Sequence, residues 1–367
     1  MPRSIQAAVC EGNGAAPQIE TLYLDDPAPD ELVIEVAAAG ICHTDLGIAE
    51  WSQEPRVFGH EGAGTVVEIG AEVSGFSVGD RVVATFGYCG ECAVCNSGRP
   101  AYCVDGIALN IEGQRAFDRP ALTRPDASII GGAFFQQSCF ATHALVTERN
   151  VVKIPDSLDF IDAAPLGCGI QTGAGAVFNQ LDIRAGQPIA IIGCGTVGLS
   201  AIMAAKIIGC DPIISVDLDK GRLELARDFG ATDVLDGAID PLSDAIREMA
   251  GGGAAAILDA AGTQRTFEQS LHALRPGGTL GTLTLPGAFE EPVQHPGGIP
   301  FLTTKIVGVI EGDSVPHEFL PLLIDHFENG YLPFDRLIRT FTFERIADAF
   351  EAMRTKAVVK PVLTFGA

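Results

Sequence analysis

The run Gly193-Cys194-Gly195-Thr196-Val197-Gly198 constrains the fold of this chain more than any other segment. It follows an apolar stretch, Pro188-Ile189-Ala190-Ile191-Ile192, that reads as a buried strand. It opens an apolar helix expected from Val197 to Ile208. A Gly-x-Gly-x-x-Gly run alone is a weak signal. A strand before it, a helix after it and an acidic residue at the end of the next strand together mark a dinucleotide turn. Gly193 permits the tight turn, Gly195 lets a pyrophosphate approach the backbone, and Gly198 lets helix and strand pack closely. The helix N-terminus at Thr196 and Val197 offers amide donors and a partial positive charge to phosphates.

Asp217 ends the next strand, Pro212 to Val216, and lies 24 residues after Gly193. Its carboxylate can accept hydrogen bonds from ribose hydroxyls and repels a 2′-phosphate, which predicts NAD over NADP. Arg222 close by leaves that preference open, and a solvated strand-end carboxylate is the plain alternative for Asp217. The strand–helix pattern then repeats, with a helix from Gly221 to Phe229 and strands at Ala255–Asp259 and Thr279–Leu283. This is the signature of a doubly wound parallel α/β sheet.

The N-terminal part reads differently. Leu32–Val36, Gly64–Ile69 and Asp80–Ala84 are short strands between Gly and Asp turns, an antiparallel, barrel-like pattern. The tail carries a helix with Ile346, Phe350 and Met353 on one face, then a strand from Lys360 to Phe365. For 367 residues, two domains are expected. The divisions fall at 1–169, 170–312 and a returning tail, 313–367.

Four cysteines, Cys89, Cys92, Cys95 and Cys103, have metal-ligand spacing. Four thiolates close a tetrahedral zinc shell with no open position, so the lobe at about 86–105 is read as structural. The alternative is two disulfides, which need an oxidising compartment. The N-terminus lacks a basic region followed by an apolar core of signal length, and no uninterrupted apolar run reaches membrane-spanning length. The cytoplasm is the default expectation. The formal charge of −23 opposes nucleic acid and anionic membrane partners and favours a soluble surface.

Two further stretches, Gly40-Ile41-Cys42-His43-Thr44-Asp45-Leu46 and Gly59-His60-Glu61-Gly62-Ala63-Gly64, resemble the catalytic-zinc motifs of zinc-dependent medium-chain alcohol dehydrogenases. The order of parts along the whole chain is similar too. The resemblance implies a GroES-like catalytic domain plus a Rossmann coenzyme domain, two zinc ions per subunit, and NAD. It implies that Cys42, His60 and Cys168 hold a catalytic zinc with an open fourth position. Glu61 matches an acidic residue that lies behind the metal and transiently ligates it. Asp45 matches a carboxylate that orients the histidine, and Thr44 a hydroxyl that begins a proton relay. Thr172 resembles a residue near the nicotinamide, and His43 and Lys360 resemble basic groups near the coenzyme pyrophosphate. The chain departs from many relatives at Gly47, where they carry the histidine that ends the relay; the relay then ends in the ribose hydroxyl, water or another group, with His43 the nearest ionisable candidate. Cys10, Cys139, Cys194 and Cys210 remain ordinary small residues.

Gly132–Thr142 and Glu311–Pro316 look like the bacterial aryl-alcohol branch, which implies a benzylic or allylic primary alcohol. Trp51, Thr85, Phe86 and Ile310 are candidate pocket walls, with plain core as the alternative. Two rival functions stay open: a dehydrogenase of thiol adducts, which needs basic residues at the pocket mouth, and a zinc- and NAD-binding scaffold without catalysis. The family forms dimers or tetramers, and Gly297–Gly308 is the expected contact.

Overall fold

The computed structural model describes residues 3–115, 119–283 and 292–366. They form two compact units. One comprises Met1–Cys168, Val315–Ile324 and Phe334–Ala367, and the other Gly169–Ser314 and Asp325–Pro333.

The first unit is built on two mainly antiparallel sheets. The strand Glu31–Gly40 is central to one of them, because it pairs with Gly62–Ile69, His143–Thr147 and Lys360–Thr364. Its Leu-Val-Ile-Glu-Val run is rich in β-branched residues, which favour the pleated backbone, and nearly all its side chains are buried. The second sheet pairs Arg3–Cys10 with Gln18–Leu24. An Ala7–Ala141 bridge and a bond from the Ala8 amide to the Phe140 carbonyl (2.8 Å) tie the Arg3–Cys10 strand to the segment entering His143–Thr147. Ile34, Val66, Phe58, Phe140 and Phe350 share the enclosed core. The expected barrel-like pattern is what the chain adopts.

The tail helix Ile346–Arg354 buries Ile346, Phe350 and Met353, as their spacing predicts. Full burial of such a side chain contributes about 1.5–3 kcal/mol. A helix of this length has little stability of its own, so the buried face holds it in place.

The second unit contains six parallel strands in the spatial order Asp233–Asp236, Ile213–Asp217, Ile189–Ile192, Ala254–Asp259, Leu274–Thr282 and Lys305–Gly308. Numbered along the chain this is 3-2-1-4-5-6, the doubly wound order. Ile189–Ile192 is buried at every residue, as a strand covered by helices on both faces requires. The chain order reverses beside it. A ligand crevice is therefore expected at the carboxyl ends of Ile189–Ile192 and Ala254–Asp259.

Two boundaries differ from the sequence expectation. The strand expected at Thr279 begins at Leu274, which pairs with Ala254 across a register irregularity. The returning tail is interrupted, because Asp325–Pro333 belongs to the second unit. There the His326 ring stacks on Phe178 at 5.8 Å and meets Tyr331 edge-on. Helical periodicity gives no hint of this, since aromatic packing partners far apart in sequence decide it. No helix among the described residues is long and apolar enough to cross a membrane.

Candidate active site

Cys42, His60, Glu61 and Cys168 converge in the first unit, and their ligand atoms all lie within 4.8 Å of one another. Cys42 caps the helix His43–Trp51 in extended backbone. His60 precedes the strand Gly62–Ile69, and Cys168 ends the turn Ala164–Gly167. Three elements distant in sequence thus each deliver one donor.

Asp45 organises two of them. Its Oδ1 accepts from His60 Nδ1 (2.9 Å) and the Gly59 amide (3.1 Å), and its Oδ2 accepts from the Cys42 amide (2.9 Å). The Asp45 bond fixes a proton on Nδ1 and turns Nε2 toward the thiols. Against the effect of burial, the Asp45 and Cys42 charges raise the His60 pKa well above its ordinary value, so a metal ion would take the place of the Nε2 proton. His60 Nε2 is buried and has no hydrogen-bond partner among the described residues. An orphaned buried nitrogen is costly unless something binds it. With two thiols and a carboxylate beside it, the donor set fits a metal ion. The neighbouring Cys168 thiol holds Cys42 well below the ordinary thiol range, against the effect of burial. That favours a thiolate donor. Burial pushes Cys139 well above that range and Cys10 and Cys194 up to about 12. Those thiols are inert packing groups.

Lys360 requires a correction. It is expected beside the coenzyme pyrophosphate, but only 1% of it is exposed. Its Nζ donates to both Glu61 oxygens at 2.8 Å and to the Ile41 carbonyl at 3.1 Å. A buried ammonium needs a compensating carboxylate, and Glu61 supplies it. Burial alone would lower the Lys360 pKa, and the Glu61 charge reverses that and raises it. Glu61 approaches so closely that a Cβ at position 40 would sit 1.9 Å from its Oε2, so only glycine fits there.

Thr44 is half-buried, with its Oγ1 3.7 Å from Cys42 Sγ. His43 and Gly47 are exposed on the same helix, and a Cβ at Gly47 would meet nothing within 4 Å. Thr85 and Phe86, candidate pocket walls, are buried in the fold. The Thr85 hydroxyl donates to the Gly167 carbonyl (2.8 Å), next to Cys168. Trp51 is 84% exposed, and Ile310 is also exposed.

Sequence reasoning singled out Gly132–Thr142 as a resemblance but did not place its aromatic rings against His60. The Phe135 ring stacks 4.5 Å from the His60 imidazole, and Phe134 meets it edge-on at 5.6 Å. Nor did it place Gln137, whose amide bonds to the backbone on both sides of Glu61. These residues lie more than seventy positions from His60, and no spacing rule links them.

In the second unit the glycine turn has the expected geometry. Gly193 adopts φ 97°, and a Cβ on Gly198 would sit 1.8 Å from the Gly193 carbonyl oxygen. A Cβ on Gly195 would meet nothing within 4 Å, so the backbone there is open to a ligand. Thr196 and Val197 begin the helix Thr196–Ile208. Asp217 also braces this turn: Oδ2 accepts from the Cys194 amide (2.7 Å) and Oδ1 from the Asp219 amide (2.8 Å). Each oxygen keeps a lone pair for a further donor. Arg222 is half-buried on the adjoining helix Lys220–Phe229. Thr172 is buried on Gly169–Gly175, which packs through Gly173 against Val197 and Ser200. Asp259, also missed, is a buried carboxylate that caps the next strand, accepting from the Ala261 and Gly262 amides and the Thr266 hydroxyl.

The lobe brings Cys89, Cys92, Cys95 and Cys103 together. All four are free thiols, and Cys89 Sγ and Cys95 Sγ stand 3.9 Å apart. That is far beyond a disulfide bond of about 2.05 Å. It matches the roughly 3.8 Å edge of a tetrahedron with 2.3 Å zinc–sulfur bonds. The Cys95 amide points at Cys92 Sγ and, with the Val104 amide, lowers that thiol to about 6. Replacing Cys103 by Ser is expected to remove one metal equivalent and speed proteolysis within the lobe at least about tenfold. Metal analysis and limited digestion check this, and an unchanged metal content would argue against a metal-held lobe.

The chain matches the alcohol dehydrogenase GroES-like domain over residues 28–156 and the zinc-binding dehydrogenase domain over residues 196–329. This chain belongs to the zinc-type alcohol dehydrogenase family. It is an oxidoreductase. It is similar to geraniol dehydrogenase of Castellaniella defragrans, with 39% identity over 99% of this chain and 98% of that protein. Among solved structures it is similar to an alcohol dehydrogenase zinc-binding domain protein from Burkholderia ambifaria, with 39% identity, TM-score 0.95 and complete coverage of both chains. It is also similar to benzyl alcohol dehydrogenase from Acinetobacter calcoaceticus, with 37% identity, TM-score 0.93, and 99% and 100% coverage.

Proposed function

We propose that this dehydrogenase oxidises a primary benzylic or allylic alcohol to the aldehyde, reversibly, using NAD and a zinc ion held by Cys42, His60 and Cys168, with a second zinc in the four-Cys lobe. The observation that carries the reading is His60 Nε2, buried, partnerless and aimed among two thiols. The zinc, when bound, supplies a Lewis acid that lowers the pKa of an alcohol at the open fourth position. NAD, when bound, supplies the hydride acceptor.

The chain's own groups do the rest. Asp45 fixes the tautomer and direction of His60. Thr44 takes the alcohol proton and passes it outward. Gly47 offers no side chain to continue the relay, so the proton leaves through solvent, a ribose hydroxyl or His43 on the same exposed helix face. Glu61 lies within reach of the metal, and Lys360 holds its carboxylate back. The amides of Thr196 and Val197 and the bare backbone at Gly195 bind phosphate, while Asp217 receives the ribose and Arg222 and Thr172 flank the coenzyme. The Phe134 and Phe135 rings pack against His60 and make its surroundings apolar, which suits an unsaturated alcohol. The similar geraniol and benzyl alcohol dehydrogenases support that class. The exposed edge strand Lys305–Gly308 is the proposed contact for a dimer or tetramer.

A panel of benzyl alcohol, cinnamyl alcohol, geraniol and simple aliphatic alcohols with NAD and NADP tests the reading. Two zinc ions per chain and a kcat/KM with NAD at least about tenfold higher for the unsaturated alcohols are expected, the scale of a few apolar contacts. Equal rates on ethanol, or no turnover with one zinc ion, would sink it.

A further inference from the structure

The segment Ala133–Ser138 adopts a backbone that proteins rarely tolerate. Ala133, Phe135, Gln136 and Ser138 all have positive φ, between 49° and 58°. None is glycine, and such strain persists only where the surroundings hold it and often marks a functional position. Here the surroundings are the segment carrying His60. The Ser138 hydroxyl donates to the Val57 carbonyl, the Phe140 amide to Phe58 and the Cys139 amide to Gly59.

Gln137 completes this zipper and extends beyond it. Only 2% of it is exposed. Its Nε2 donates to the His60 carbonyl (2.9 Å) and the Thr85 carbonyl (3.1 Å), and its Oε1 accepts from the Gly62 amide (3.0 Å). Both amide protons are used, and a flipped amide would face two carbonyl oxygens with an oxygen, so the orientation is settled by its partners. Thr85 in turn donates to the carbonyl of Gly167, the residue before Cys168. One carboxamide therefore bridges the backbone that presents His60 to the backbone that braces Cys168. Asn150, fully buried, locks the arrangement from behind by donating to the carbonyls of Thr85, Phe135 and Gln136.

We infer that Gln137 is a positioning residue for the catalytic metal: it sets the separation of His60 and Cys168 and so governs how firmly the ion is held. This rests on the zinc site proposed above. Gln136 is the natural control. It is also buried in the same loop, but its amide donates to the Leu109 and Gln114 carbonyls and not to the ligand segments.

The test compares wild type, Gln137→Met and Gln136→Met, each loaded with zinc and challenged with a chromogenic chelator. Outer groups that orient metal ligands typically change metal affinity about 10–100-fold. Gln137→Met is expected to release the catalytic zinc faster by that factor while the four-Cys zinc leaves at its wild-type rate. Its cobalt-substituted form is expected to show shifted visible ligand-field bands. Gln136→Met should match wild type on both readouts. Should Gln137→Met not fold, Gln137→Asn keeps the amide one methylene short and is expected to release the catalytic metal faster than wild type. A wild-type release rate and cobalt spectrum in the folded Gln137 variant would overturn this inference alone. A wild-type protein that binds no metal at Cys42, His60 and Cys168 would overturn it together with the proposed zinc site.

Discussion

Replacing Cys42 by Ser is expected to lower kcat/KM by at least about 10³-fold and to remove one of two zinc ions. A Lewis acid contributes several kcal/mol to such a transition state, and each 1.36 kcal/mol is a factor of ten. Ser presents a hydroxyl that stays protonated where Cys42 presents a thiol held well below its usual range by Cys168. With Glu61 held by Lys360, the two remaining donors, His60 and Cys168, cannot hold the ion tightly. The four-Cys lobe shares no ligand with this cluster, so its metal should stay. Steady-state kinetics and metal analysis on the same preparation decide the matter. Retained turnover with a full metal count would remove Cys42 from the site.

The second large effect concerns stability. Lys360→Met is expected to destabilise the first unit by about 3–5 kcal/mol, the usual consequence of leaving one partner of a buried pair uncompensated. Glu61 and Lys360 are both buried, and three short bonds surround the ammonium. Burial pushes the Glu61 pKa above its ordinary value of 4.5, and Lys360 is the chief opposing influence. Without Lys360 that pKa rises further, so the folded state binds a proton that the unfolded state releases. Stability of the variant then falls as pH rises from about 4.5 toward the raised folded value, more steeply than in wild type. The double variant Glu61→Gln, Lys360→Met should recover much of the loss, because no charge is left buried. Denaturant melts at several pH values measure this. A single variant as stable as wild type at neutral pH would show that Glu61 finds another partner.

Legibility followed the range over which each signal acts. The glycine turn, the helix after it and the acid at position 217 are local, and the structure reproduces them within a residue or two. The four cysteines are local as well, and a short loop is enough to gather them. Cys42, His60 and Cys168 became readable only through the motifs around the first two. Lys360 was misplaced because its basic character says nothing about burial, and only the folded chain shows that Glu61 consumes its charge. Phe135 and Gln137 were legible only as part of the Gly132–Thr142 resemblance, and Asn150 not at all, since a carboxamide bonded to backbone carbonyls has no spacing to betray it.

The architecture and the chemistry available to it were legible from residue order alone. Apolar periodicity, glycines at a turn and clustered thiols act through backbone geometry over a few residues, and that physics does not wait for the fold. Tertiary structure decided which charges are free to act. It buried Lys360 against Glu61, left His60 Nε2 without a partner and stacked Phe135 on the imidazole. Those outcomes depend on desolvation and on contacts between segments more than seventy residues apart, which exist only once the chain has closed around them.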